Sequence, residues 1–377
     1  MHTLTTDPMH AADTDSVAQL LTPTGDRIAD PRLDAWVDGT GAALALDAPA
    51  LRALYRDMAI TRRLDGEGVA LQRQGHLGLW APAQGQEAIQ VASARACRGD
   101  DFLFPSYREL GVLVTRGASA AELVLGWRGE VHGTFDPYAL HVATPQIIIG
   151  AQSLHAVGYA MGIQRDGADQ VAVAYFGDGA TSQGDVNEAM VFASSFRAPV
   201  VFVCSNNQWA ISEPVSVQSR FPIAGRAPAF GIPSMRVDGN DAIACTAAMR
   251  WALDRARSGE GPAFIEAVTY RMGPHTTSDD PTRYREASEL ELWRSRDPLT
   301  RLEAHLRRTS AWDDAFADEV AAAGDALAAG MREAALTGQS RPAIEVLDDV
   351  YAEPHVGLGR QRERFAAYLD GFADEEV

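Results

Sequence analysis

The stretch VAVAYFGDGATSQGDVNEAMVFASSFRAPVVFVCSNNQWA, residues 171–210, decides the fold. It opens on an apolar run, Val171 to Phe176, and crosses a glycine-flanked aspartate. It then carries Val186, Met190, Ala193 and Phe196 at helical spacing, stops at Pro199, and closes on a second apolar run, Val200 to Cys204. Two short continuous apolar runs on either side of an amphipathic helix predict a strand–helix–strand unit of a parallel sheet buried on both faces. Met235 to Val237 and Ala263 to Val268 repeat the strand pattern, with Gly261-Pro262 as the break before the latter. The expected fold is therefore α/β, a mostly parallel sheet flanked by helices. Ser182 and Asp185 stand where they could cap the start of the intervening helix, expected over about 184–197.

Working outward, residues 1–45 are rich in Thr, Asp, Ala and Pro without sustained periodicity and read as an N-terminal arm, partly disordered. A helical pattern begins near Ala48, where Leu51, Leu54, Tyr55 and Met58 share one face. The main α/β domain is expected over 46–300. After Pro298 the chain turns charged and alanine-rich, so 301–377 read as a C-terminal helical extension. With 46% apolar and 22% charged residues the chain has the composition of a globular protein with a sizeable core. A formal charge of −18 argues against a nucleic-acid or anionic membrane surface, so an anionic ligand needs local donors. Three cysteines without CxxC spacing suggest neither a disulfide framework nor a thiolate zinc site, and the absence of a leader-like or spanning segment completes the expectation of a cytoplasmic protein.

The chemistry lies at the strand ends. Gly177-Asp178-Gly179 follows the first strand and Asn206-Asn207 the second. In an open α/β sheet ligands bind at the carboxyl ends of strands, so Asp178 and Asn207 can converge across a whole crossover helix. A lone GDG reads first as a tight turn in which the aspartate caps a helix; an amide pair at the neighbouring strand end adds what such a turn does not need. Magnesium takes six oxygens, commonly a few from protein and the rest from phosphate and water. The carboxylate of Asp178, the amide oxygen of Asn207 and a backbone carbonyl near Trp209 suit it.

The segments GDGATSQGDVNEA and SNNQWAISEPVS resemble the cofactor motif of thiamine-diphosphate enzymes. With FPSYRELG, PQIIIGAQSLHAVG, RVDGNDA and EAVTYRMGPHTTSDDPTRYR, the chain is similar, from about Leu54 to Pro298, to the alpha subunit of bacterial branched-chain 2-oxoacid and pyruvate dehydrogenases. The resemblance implies a thiamine-diphosphate-binding fold, with thiamine diphosphate and Mg2+ as cofactors. It implies that Tyr107 and Arg108 bind the diphosphate, and that Asp178 and Asn207 ligate the metal by side chain and Trp209 by its carbonyl. Gly179 and Ala180 would touch the cofactor through backbone, and Ile147 and Ile149 would contact its aminopyrimidine ring. Gln152 matches part of a potassium site of some relatives, but Ala151 replaces its threonine. His275, in a polar loop, would sit over the cofactor and assist acyl transfer, a near-neutral pKa suiting it as proton donor. Arg283 and Arg285 could order this loop by pairing with Asp279 and Asp280, or stand in solvent.

The implied reaction is oxidative decarboxylation of a small-molecule 2-oxoacid, with the acyl group passing to a lipoyl-bearing transacylase. The cofactor would supply the carbanion chemistry and the protein orientation and charge. No glutamate matches the one that activates the aminopyrimidine; in the two-subunit family it comes from a beta subunit, so an α2β2 heterotetramer with an interfacial active site is expected. The apolar segment Leu79–Ala83 favours a branched-chain substrate, PQIIIGAQ also looks like pyruvate-type subunits, and acetoin dehydrogenase is a third reading. A nicotinamide enzyme would require GxGxxG after the first strand with an acidic residue about twenty positions on, and a P-loop enzyme GxxxxGK[ST]; neither is found in context. A non-catalytic relative would be expected to lack Arg108, Asp178, Asn207 or His275, and all four are present.

Overall fold

The computed structural model describes residues 16–37, 46–129, 135–145, 147–338 and 342–372. Its centre is a five-stranded, wholly parallel sheet built from β1 (Phe102–Phe104), β2 (Ala172–Gly177), β3 (Val200–Asn206), β6 (Ser234–Asp238) and β7 (Ala263–Val268), in the order β1-β2-β3-β7-β6. A short antiparallel hairpin, β4 (Trp209–Ala210) with β5 (Glu213–Pro214), follows β3. The four strands expected from the sequence are present; β1 is the one it did not announce.

Helices cover both faces, which is why the strands read as continuous apolar runs. Before β2 come α1 (Ala48–Arg73), α2 (Glu87–Ala96), α3 (Leu110–Thr115), α4 (Ala120–Val124), α5 (Pro137–Leu140) and α6 (Ala151–Asp166). Then follow α7 (Gly184–Phe196), α8 (Val215–Gln218), α9 (Ala242–Arg257), α10 (Ala287–Arg294), α11 (Pro298–Arg308), α12 (Asp314–Thr337) and α13 (Val356–Asp370). Alternate residues of each strand face opposite layers. Val173, Tyr175, Val201 and Val203 pack with α1, α2 and α9, whereas Ala174, Phe176 and Phe202 pack with α6 and α7. The start of α1 agrees with expectation: Asp47 accepts from the Ala50 N–H at 3.0 Å, and Leu51, Leu54 and Met58 are buried. The α7 start does not. Its N-cap is Gln183 with no side-chain cap, because residues 178–182 form a 3-10 turn that carries Ser182 away from the capping position.

The two flanking regions differ from their composition-based reading. Residues 1–15 and 38–45 lie outside the described residues, but 16–37 are a packed strap. Ala18 bridges Val237 in parallel, and the N–H groups of Leu20 and Leu21 donate to Asp241 Oδ2 at 2.7 and 2.6 Å. Tertiary partners more than 200 positions away, invisible to local periodicity, hold the strap. The expected boundary at 300 falls inside α11, and α12 is part of the core, burying Phe316, Val320 and Met331 beside α1. Among the described residues α13, beyond the core helices α11 and α12, has the character of an appendage, with no buried residue. Among the described residues, no helix is long and apolar enough to cross a membrane.

Candidate active site

The parallel register pairs Gly177 with Ser205, which brings the tips of β2 and β3 together. Asp178 Oδ1 accepts from the Asn207 N–H at 3.2 Å, so the two residues separated by a helix in sequence meet in space. The two asparagines have divided roles. Asn206 donates to buried Glu266 at 2.7 Å and serves the sheet, whereas Asn207 turns to the cavity, donating to Gln86 at 3.2 Å and accepting from the Trp209 N–H at 3.2 Å.

One cavity is lined by Tyr107, Arg108, Ile149, Asp178, Gly179, Ala180, Asn207, Trp209 and His275, nine of the ten residues that the resemblance assigns to coenzyme or metal. The tenth, Ile147, lines the adjoining space with Tyr107, Ile149 and His275. Gly179 is required by close approach: a Cβ there would come within 2.7 Å of the Ala210 Cβ. Gln208 (φ 74°) and Ile211 (φ 56°) adopt left-handed backbone on either side of Trp209. For a β-branched residue such as Ile211 this strain costs on the order of 1–3 kcal/mol, and strain of this kind clusters at functional sites.

Asp178 is 1% exposed, and burial pushes its carboxyl up; its donors are the Asn207 N–H and the Gln218 side-chain amide at 3.1 Å. A buried carboxylate with two neutral donors is electrostatically short of a cation. Around it, buried Gln86 Nε2, Ser205 Oγ and Arg271 Nε have no hydrogen-bond partner, although their residues line the cavity. Deficits of both signs in one cavity fit a metal–anion pair. The donor set, one carboxylate, one amide oxygen and one carbonyl, fits a hard cation that keeps other positions for phosphate and water. Among the described residues no cluster of three or more His, Cys, Asp or Glu side chains forms a metal site, so an all-protein cage is not on offer. The Trp209 carbonyl accepts from Arg271 Nη1 at 2.9 Å, which uses one of its two lone pairs.

The cationic wall has two members. Arg108, 6% exposed, donates to Pro82 O at 2.6 Å, His275 O at 2.9 Å and His275 Nδ1 at 3.2 Å. Arg271, fully buried, donates to the carbonyls of Trp209 and Ile211 and lies 3.4 Å from His275 Nδ1. Sequence reasoning assigned no role to Arg271 or Gln86, although the quoted stretch EAVTYRMG contains the arginine, three residues beyond the end of β7.

Two guanidiniums on Nδ1 make that nitrogen the acceptor and place the imidazole proton on Nε2. Burial, with the charges of Arg108 and Arg271, lowers the His275 pKa to about 4. This corrects the near-neutral histidine anticipated from the loop: here the ring is neutral and donates from Nε2. Its loop is ordered differently from the anticipated arginine–aspartate pairs. Asp279 accepts from the His275 N–H at 2.7 Å and from the Tyr284 hydroxyl, and Arg285 donates to the carbonyls of Arg271, Met272 and Gly273. Gln152 is buried, donating to Tyr175 O at 2.7 Å with its Oε1 unpartnered.

A strand-tip cavity with one buried carboxylate and two buried guanidiniums has the chemistry to receive an anionic ligand beside a cation. Residues 55–340 match the dehydrogenase E1 component, and the chain belongs to that family. It is 48% identical over 325 residues to the 3-methyl-2-oxobutanoate dehydrogenase subunit alpha of Mycobacterium tuberculosis (strain ATCC 25618 / H37Rv), covering 86% of this chain and 89% of that protein. It is 41% identical over 313 residues to the pyruvate dehydrogenase E1 component subunit alpha of Staphylococcus epidermidis (strain ATCC 12228 / FDA PCI 1200), with 82% and 84% covered. The Staphylococcus aureus (strain COL) protein of the same name is 40% identical over the same shares. Enzymes of this family depend on thiamine diphosphate, and an alpha subunit of this kind works with a beta subunit and the transacylase of its complex.

Proposed function

We propose that this chain is the alpha subunit of a branched-chain 2-oxoacid dehydrogenase, decarboxylating a substrate such as 3-methyl-2-oxobutanoate and passing the acyl group to a lipoyl-bearing transacylase. The observation that carries the reading is the meeting of Asp178 and Asn207 at two strand tips, under buried Arg108 and Arg271. Asp178, Asn207 and the Trp209 carbonyl would hold Mg2+. Tyr107 and Arg108 would hold the diphosphate, with Gly179 and Ala180 offering backbone, and Ile147 and Ile149 would bear on the aminopyrimidine ring. When bound, thiamine diphosphate supplies the nucleophile for the ketone and an acceptor for the charge left as carbon dioxide departs. The neutral His275 ring would donate a hydrogen bond from Nε2 to a developing oxyanion or to the thiolate released as the lipoyl disulfide opens.

Association with a beta subunit in an α2β2 assembly would complete the site. The exposed apolar run Ile147, Ile148 and Ile149 beside the cavity supports coverage by a second chain. Three free cysteines support a reducing, cytoplasmic setting. The identity to the Mycobacterium tuberculosis protein favours the branched-chain substrate, while the Staphylococcus relatives keep pyruvate as the second reading. The test is artificial-acceptor reduction by the purified alpha–beta complex with both cofactors. 3-Methyl-2-oxobutanoate is expected to be consumed faster than pyruvate, and the reverse preference would transfer the assignment to pyruvate.

A further inference from the structure

The connection between α1 and α2, residues 74–86, reaches the cavity's arginine, its asparagine and its histidine loop. The Pro82 carbonyl accepts from Arg108 Nη1 at 2.6 Å, and Gln86 Oε1 accepts from the Asn207 side chain at 3.2 Å. The segment after β7 is tied at two places. Gln84 O accepts from the Met272 N–H at 3.0 Å, while Trp80 accepts from the Thr277 N–H at 2.9 Å and donates its own N–H to Thr277 Oγ1 at 3.1 Å. His275 lies between these two anchors. The fit is close: at Gly85 (φ 98°) a Cβ would come within 2.3 Å of the Tyr270 carbonyl oxygen.

Asp65 of α1 holds the middle of this connection. Its Oδ1 accepts from the Trp80 indole N–H at 2.8 Å and from the Ala83 N–H at 3.0 Å; its Oδ2 accepts from the same Ala83 N–H and from the Gln84 N–H, each at 3.0 Å. The side chain is buried, and Glu87 adds like charge to it. A carboxylate in such a place is costly unless fully hydrogen-bonded, and its bonds are then about twice as strong as neutral ones. Asp65 does not line the cavity, so its effect on the coenzyme passes through the backbone it fixes. Asp57, about two turns earlier on the same helix, is the contrast. It is also buried, but its carboxylate pairs with Arg95 of α2 at 2.8 Å, away from the connection.

We propose that Asp65 is a positioning residue for the coenzyme site: by fixing residues 80–84 it sets Arg108, Asn207 and the His275 loop before the coenzyme arrives. The proposal rests on the coenzyme site assigned above and deepens it. It is tested on the alpha–beta complex. Asp65→Asn keeps the volume but turns one acceptor into a donor facing an N–H. It is expected to weaken Mg2+-dependent thiamine diphosphate binding by about tenfold or more by calorimetry, the range for residues that orient a metal site from behind. In coenzyme-free complex it is also expected to speed tryptic cleavage after exposed Arg283, in the loop that follows His275.

Asp57→Asn is expected to lower the melting temperature while leaving coenzyme affinity within about twofold and the cleavage rate unchanged. Trp80→Phe removes one of the three donors and is expected to weaken coenzyme binding by about threefold. Should Asp65→Asn fail to fold, Trp80→Phe decides by the same two measurements. Unchanged coenzyme affinity in Asp65→Asn, or an equal loss in Asp57→Asn, would overturn the positioning role and leave the coenzyme site standing. A wild-type complex that takes up no thiamine diphosphate would overturn the site reading instead, and cleavage after Arg283 would then decide alone whether Asp65 sets the His275 loop.

Discussion

Asp178 and Asp241 are both buried carboxylates whose acidity is weakened by desolvation, yet their surroundings are opposite. Asp241 caps α9 and accepts from the N–H groups of Leu20, Leu21, Ile243 and Ala244, with Arg301 at 3.8 Å. It is saturated from within and ties the N-terminal strap to the sheet. Asp178 accepts one backbone N–H and one amide and faces a cavity. Asp65 sides with Asp241: pushed up to about 6 by burial, it is nonetheless satisfied by Trp80, Ala83 and Gln84. Burial is therefore common to the structural carboxylates and to the proposed metal ligand, and the completeness of the donor set separates them.

The contrast breaks most visibly at the structural member. Asp241→Ala removes a helix cap, unties the strap and leaves four buried N–H groups without their acceptor, while Arg301 keeps Asp238 at 2.8 Å, a loss of about 3–5 kcal/mol in urea unfolding. A loss below about 1 kcal/mol, the worth of one ordinary hydrogen bond, would erase the distinction. At the proposed metal ligand, Asp178→Asn is expected to weaken Mg2+-dependent thiamine diphosphate binding by at least about 100-fold, or about 2.7 kcal/mol, by calorimetry. The coenzyme-free stability should stay level or rise, since a poorly compensated buried charge is removed. A parallel fall in stability would make Asp178 a second structural carboxylate.

The smallest effect sharpens the electrostatic half of the comparison. In coenzyme-free protein the His275 ring should remain neutral by NMR titration down to about pH 4. The folded value lies below the ordinary 6.5, so the unfolded chain binds the proton first, and this group withdraws stability as pH falls from 6.5 towards 4. Diphosphate on Arg108 should move the midpoint upward. A coenzyme-free midpoint near 6.5 would remove the two guanidiniums from Nδ1.

Legibility differed by region for physical reasons. The runs at 171–176, 200–204 and 263–268 announced themselves because strands buried on both faces are apolar throughout. Phe102–Phe104 did not, since three residues carry no period. Arg271 and Gln86 looked like ordinary polar residues, because burial against a cavity is not a property of their neighbours in the chain.

By themselves, residues 171–210 determined a strand–helix–strand unit and the placing of an aspartate and an asparagine at adjacent strand ends. Local patterning suffices there, since side-chain period and turn chemistry act over a few residues. Tertiary structure alone decided that Asn206 is spent on Glu266 within the sheet, that two arginines converge on His275 and hold it neutral, and that the strap and α12 belong to the core. Each of these depends on groups far apart in sequence, whose energies arise only once packing has excluded water and set their distances.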